Sequence, residues 1–168
     1  MPNWCSNRLT ITGDWKGLRD KTEGGFNLSA FLPTPDEDRA QLESKDCWLR
    51  MHENPTSAAS EGEGWYYWRI QFWGCKWDVR ASGWMEEDGK IIAKFDSAWA
   101  PPEPGIQAIS ALYPNAEFSL EYAEPACDFC GVATFRAGQV LSDVEGKPSD
   151  REYDKFPLMA ELCESHHR

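Results

Sequence analysis

Residues 90–123 read KIIAKFDSAWAPPEPGIQAISALYPNAEFSLEYA, and this stretch decides the fold. Ile91, Ala93 and Phe95 alternate with Ile92, Lys94 and Asp96, as in a strand with one face buried. Ala116, Phe118, Leu120 and Tyr122 alternate with Glu117, Ser119, Glu121 and Ala123 in the same way. Between the two, Ile106, Ile109 and Leu112 step at helical spacing, which predicts a helix over Glu103–Tyr113. Ala100 to Pro104 is a stiff extended connector, and Pro114-Asn115 is a turn. The segment is therefore a strand–helix–strand unit.

Upstream, Asp78–Glu86 reads as a strand with Val79, Ala81 and Gly83 on one face. Asp88-Gly89 supplies the two positive-φ positions of a tight hairpin turn into 90–98. Residues 7–12 alternate through Leu9 and Ile11 and form a first strand, followed by a short polar segment, Asp14–Lys21. Phe26, Leu28, Phe31 and Leu32 make an apolar patch. Thr34, Pro35 and Glu37 match a helix start, with Thr34 as cap, and a polar helix is expected from there toward His52. Residues 65–77 fit both a strand alternation (Tyr66, Trp68, Ile70, Phe72) and a helix face (Trp65, Trp68, Phe72, Trp73). With Gly74 placed to end a helix, the helix is preferred. Downstream, 131–136 and 139–143 flank Ala137-Gly138 as a hairpin, 144–157 read as loop, and Leu158, Met159, Leu162 and Cys163 suggest a terminal helix.

Strand, helical material, strand, strand, helix, strand is the ferredoxin-like βαββαβ plan, an α+β fold with an antiparallel sheet and helices on one face. The expected organisation is a single domain over 1–168. Residues 33–77 form a helical and loop insertion, and 131–168 form a C-terminal extension with an extra hairpin.

Composition bounds the function. The 168 residues carry 17 Lys and Arg against 28 Asp and Glu, a net charge of −11. The acid is spread along the chain. That balance argues against a basic nucleic-acid binder and suits a soluble surface or a negative face for a basic partner. No stretch approaches the roughly 20 apolar residues of a membrane helix, and no leader pattern is visible. Six cysteines in such a chain are expected to be reduced thiols in the cytoplasm. Nine tryptophans are the unusual feature.

Four separated motifs carry a resemblance: Met1 to Asn7 (MPNWCSN), Trp73 to Asp78 (WGCKWD), Phe95 to Pro102 (FDSAWAPP), and Tyr122 to Pro125 (YAEP) with Phe129-Cys130-Gly131. Together they resemble the YubB ferredoxin-like domain family. The resemblance implies the ferredoxin-like fold and an origin on plasmids or phages, and it supplies no catalytic residues. Cys75 departs from the family pattern, which expects Thr there.

Three constellations can be weighed. Cys127 and Cys130, with Cys163 and His166, have ligand types that suit tetrahedral zinc. The long separation of the two pairs and the core-like setting of Cys130 argue for no metal and no cofactor. Cys75 beside Lys76 could be an activated thiol, with His52 the one candidate base outside the tail, but a small buried thiol after a glycine turn is the simpler reading. Trp65, Trp68, Trp73, Trp77 and Trp99 would form a core under the insertion. Otherwise they make an exposed aromatic patch of the kind that anchors protein interfaces.

The expectation is a non-catalytic, acidic accessory protein of a phage or plasmid. It would bind a host protein, as a counter-defence inhibitor masking a nucleic-acid-binding site, without binding nucleic acid itself and without a membrane. The binding residues are Trp73, Lys76, Trp77, Asp78, Asp96 and Trp99. The alternative is a small enzyme or ligand-binding protein with a pocket between insertion and sheet around Lys76, Asp78 and Asp96. A single-strand nucleic-acid module is a third reading, which the charge disfavours.

Overall fold

The computed structural model describes residues 3–44, 63–151 and 155–165. A six-stranded antiparallel sheet runs in the order β2-β3-β1-β4-β5-β6. Its strands are β1 (Trp4–Gly13), β2 (Met85–Glu87), β3 (Lys90–Ala98), β4 (Ala116–Glu124), β5 (Phe129–Arg136) and β6 (Gln139–Gly146). Strands β2-β3-β1-β4 are the ferredoxin-like arrangement, and β5-β6 extends it beyond β4.

Strand β1 is central because both of its edges are used. It pairs with β3 from Trp4↔Ala98 to Ile11↔Ile91 and with β4 from Ser6↔Ala123 to Gly13↔Ala116. Its buried residues, Cys5, Asn7, Leu9 and Ile11, recur every second position, as one-sided burial requires. Helix α4 (Glu103–Leu112) crosses this face. It buries Ile106 and Ile109 against Leu9, Phe118 and Leu120 in one apolar cluster. Both hairpin turns have the expected geometry. Asp88 and Gly89 have φ of 50° and 76°, and Ala137 and Gly138 have 50° and 78°.

The first crossover is built from several pieces. Helix α1 (Lys16–Lys21) buries Leu18, and Phe26, Leu28 and Phe31 fill the adjoining core. Helices α2 (Glu37–Glu43) and α3 (Gly64–Phe72) pack on each other. Gly64 makes that approach possible, since a Cβ there would lie 2.4 Å from Gln41 Cγ. The helical reading of 65–72 holds, and Gly74 ends the helix at φ 87° with its N–H on Arg69 O.

Two expectations change. The cap of α2 is Asp36, whose carboxylate accepts from Arg39 N at 3.1 Å, while the Thr34 hydroxyl accepts from Arg69 Nε at 2.9 Å. The remainder of the helix expected toward His52 lies outside the described residues. Residues 78–84 are not a strand. Val79 and Ala81 are buried, but the chain meets the Phe26 loop, with Ala81 N donating to Phe26 O at 3.0 Å, and Gly83 has φ 155°. The alternation there reports burial beneath a loop, and only Met85–Glu87 pairs with β3.

The opposite sheet face is covered by α5 (Pro157–Ser165). Phe156 and Met159 pack on Ala123 and Cys130. Arg8 fixes the helix: its Nε and Nη2 donate to both oxygens of Glu121, at 3.1 and 2.7 Å, and its Nη1 pairs with Glu161. Strand β6 extends to Gly146, further than the hairpin expected from sequence.

Glu37 generates a test. Its carboxylate accepts from the backbone N–H groups of Gly64 and Trp65 at the start of α3. Burial opposes ionisation, but these donors and the Gln41 amide outweigh it and hold the carboxyl below its ordinary value. Its stabilisation is therefore present above the ordinary Glu pKa of about 4.3 and is lost as pH falls through the lower folded value. Glu37→Gln should cost about 0.5–2 kcal/mol at neutral pH, the range of a lost helix cap. The difference from wild type should close in strongly acidic urea titrations.

Candidate functional site

The tryptophans separate into two sets. Trp73 is 1% exposed and Trp68 is 7% exposed. The Trp73 indole N–H donates to Leu32 O at 2.9 Å, and its carbonyl accepts from Gly105 N at 3.3 Å. The helical spacing of Trp65, Arg69 and Trp73 puts the Arg69 guanidinium 5.0 and 4.7 Å from the two flanking ring centroids. Trp73, expected to be part of the binding site, is instead the plug beneath it.

By contrast, Trp4, Trp77 and Trp99 are 49%, 39% and 52% exposed. Trp4 and Trp77 lie 5.9 Å apart. Lys76 Nζ sits 5.0 Å from the Trp77 centroid and 5.7 Å from that of Tyr66. Trp99 borders a depression of about 270 Å³ shared with Glu63, Trp65, Tyr66, Tyr67 and Lys76. A continuous surface of rings, with one lysine stacked among them, thus lies between α3 and the ends of β1 and β3.

Trp99 is held in an unusual state. Its φ is 72°, a left-handed conformation that bulky residues rarely adopt and that surrounding structure must enforce. The enforcement is visible. Trp99 N donates to Asn3 O at 3.0 Å, and the buried Ser97 hydroxyl donates to Ala100 O at 2.7 Å. Asn7 Nδ2 in turn donates to Ser97 Oγ at 2.8 Å.

The other expected residues, Asp78 and Asp96, are each taken up by other partners. Asp78 accepts from Leu28 N at 2.7 Å and Ser29 N at 3.3 Å, which ties down the 28–32 loop. It borders a separate depression with Arg80 and Lys21. Asp96 is on the sheet face away from α4, the face that also carries Ser6 and Trp4, and accepts from Ser6 Oγ at 3.0 Å. Lys76 borders the aromatic depression, Asp78 the one with Arg80, and Asp96 neither, so these depressions do not join the three as the pocket reading requires.

Cys75 is fully buried. Burial, and then the charge of Asp78, pushes its thiol up to about 12, against a smaller opposing effect of Arg69. Such a thiol is not a nucleophile at neutral pH. Cys130 is buried and Cys127 exposed. The Cys163 side chain and His166 lie outside the described residues, as does His52. Among the described residues, no group of three or more His, Cys, Asp or Glu is placed to hold an ion, and no helix is long and apolar enough to cross a membrane.

A larger cleft of about 670 Å³ lies on the other side of the Ala100–Pro104 connector. Gly74, Pro101, Pro104 and Phe129 give it apolar walls, and four carboxylates, Glu103, Asp128, Glu145 and Asp150, line it together with one cation, Lys147. The buried Tyr122 side chain shares this cleft with Glu103. Gly131 permits the tyrosine ring to lie against β5, since a Cβ there would be 2.3 Å from its oxygen. Burial raises the Glu103 carboxyl above its ordinary value, and Asp143 and Glu145 add to this. Tyr122 is raised by burial and then by the Glu103 charge. Sequence reasoning missed this cleft and also missed Trp4. The pairing of Trp4 with Ala98 would have placed Trp4 beside Trp99.

The four separated motifs meet around these two features. Asn3 Nδ2 donates to Cys127 Sγ at 2.9 Å. Glu124 accepts from Ala126 N at 3.2 Å and from Cys127 N. A Cβ on Gly74 would be 2.6 Å from Pro104 Cδ, so the Trp73-Gly74 turn and the Pro-rich connector are in direct contact.

Fold and site together define an α+β ferredoxin-like domain whose sheet end is dressed with exposed aromatic rings. Residues 72–162 match the family described as the ferredoxin-like domain in Api92-like protein, and the chain belongs to that family. It is similar to the uncharacterized protein YubB of Escherichia coli (strain K12), with 27% identity over 99 residues, 55% of this chain and 67% of that protein. The crystal structure of protein api92 from Yersinia pseudotuberculosis superposes with a TM-score of 0.54 at 12% identity, covering 86% of this chain and 98% of that one. At that identity the likeness is one of fold.

Two measurements check the site. Maleimide labelling of native protein, mapped by mass spectrometry, should modify Cys127 and spare Cys5, Cys75 and Cys130. Trp73→Ala should cost about 3–5 kcal/mol in urea unfolding, whereas Trp99→Ala should stay within about 1 kcal/mol of wild type.

Proposed function

We propose that this chain is a non-catalytic, acidic accessory protein of a phage or plasmid that binds a host protein through the Trp4–Trp77–Trp99 surface. The observation that carries this reading is the exposure of three indoles around Lys76, one of them held at φ 72°. Large rings presented on a rigid frame are the residues that dominate protein interfaces, and ordering them costs little additional entropy on binding. The net charge of −11 favours a basic partner and opposes phosphate backbones. A protein of this kind suits the masking of a nucleic-acid-binding site in a cytoplasmic defence complex. The enzyme reading draws no support from Lys76 and Asp78, which border different depressions, or from Asp96, which borders neither.

The test places a photo-crosslinking benzoylphenylalanine at position 99 and irradiates the protein in host lysate. One discrete adduct is expected. It should be lost with Trp4→Ala and Trp77→Ala and retained with Leu112→Ala, a substitution at an exposed apolar residue elsewhere. Adding the target's own nucleic acid before irradiation should suppress the adduct. No discrete adduct at either low or high salt, or an adduct indifferent to Trp4 and Trp77, overturns the reading.

A further inference from the structure

Strand β6 is the end of the sheet. Among the described residues nothing pairs with its outer edge, which leaves a row of backbone donors and acceptors open to another strand. The pairing of β6 with β5 is interrupted by a bulge at Leu141, since Thr134 pairs with Ser142 and Phe135 with Val140, so the regular part of the edge is Ser142–Gly146, which contains no Lys, Arg or Pro and is followed by Lys147 and Pro148. Val140, Leu141 and Val144 are 49%, 54% and 48% exposed.

The register links this edge to the cleft. Glu145 pairs with Gly131, and Asp143 pairs with Ala133. Gly131 and Ala133 pair in turn with Tyr122 and Leu120 on the helix face. Asp143 and Glu145 therefore project from the helix face of β6. Glu145 lines the cleft, and both carboxylates act on Glu103. A strand laid along β6 would place every second side chain on that face, opposite these acids.

We infer that β6 and the adjoining cleft form a docking site for an extended basic segment of a partner protein, added as a seventh strand with Arg or Lys at alternate positions facing Asp143, Glu145 and Glu103. Backbone pairing supplies affinity, and the alternate side chains supply specificity. Charge selects this occupant. Another copy of the chain laid along β6 would bring a second Asp143 and Glu145 to the same edge, and like charges across a strand pair are unfavourable. Glu103 gives a guanidinium a carboxylate on the cleft wall, beside Tyr122. Pro101, Pro104 and Phe129 would cover its methylene stem. The inference rests on the protein-binding reading above and concerns a different surface from the tryptophans.

The test uses a seven-residue probe, acetyl-Thr-Val-Arg-Val-Arg-Val-Thr-amide, and its twin with citrulline in place of both arginines. Binding to the full chain is followed by backbone amide shifts and by hydrogen exchange of β6. The arginine probe should slow exchange of the outward amides of β6 and bind about tenfold more tightly than the citrulline twin, as expected for a charge-assisted contact. Asp143→Lys with Glu145→Lys should abolish that preference without changing thermal unfolding. Trp77→Ala with Trp99→Ala should leave probe binding intact, so failure here is separable from failure of the tryptophan surface. Equal binding of the two probes, or shifts confined to other strands, overturns the inference. So does concentration-dependent protection of β6 in the absence of probe, which would identify a second copy as the occupant.

Discussion

The burial of Trp73 is the constraint on which the rest of the molecule depends. Its ring occupies the junction where α3, the 28–32 loop and the start of α4 meet. Its indole N–H holds Leu32 O, and its carbonyl receives Gly105 N. Because the ring turns inward, the chain must reverse at once, and Gly74 does this at φ 87°. The reversal brings Gly74 against Pro101 and Pro104, which fixes the connector that carries Trp99 on one side and Glu103 on the other. A single inward indole thus sets the positions of both outward-facing features.

The connector is a shared wall. Trp99 belongs to the aromatic depression, while Ala100, Pro101, Glu103 and Pro104 belong to the cleft. Proline stiffness, the Ser97 hydroxyl and the Asn3 carbonyl keep this wall from relaxing toward a regular strand exit. The two surfaces differ in chemistry: one is aromatic with a stacked cation, the other carboxylate-lined with apolar sides. A basic partner with an apolar anchor could engage both, and a rigid wall between them would set the spacing it must match.

The parts of the fold legible in the sequence are those where one face of an element is wet and the other dry. β1, β3, β4 and α4 all have this property, and the Asp88-Gly89 turn adds a local backbone requirement that only a few residues meet. Residues 78–84 misled because alternation reports burial without naming the neighbour; there the neighbour is the Phe26 loop. The tryptophans were legible as a class but not as individuals. Trp73 and Trp77 sit four residues apart, yet one is enclosed and the other open, because the turn at Gly74 breaks the helical face between them. The cleft was illegible for another reason. Glu103, Tyr122 and Glu145 come from α4, β4 and β6, and only the sheet register brings them together.

The bond from Trp99 N–H to the Asn3 carbonyl has a practical side. It pins Asn3, at the threshold of β1, against an exposed indole. A probe attached at position 3 would therefore crowd the aromatic surface. One attached at Glu87, beside the β2–β3 turn at the other end of β1 and β3, keeps that approach clear.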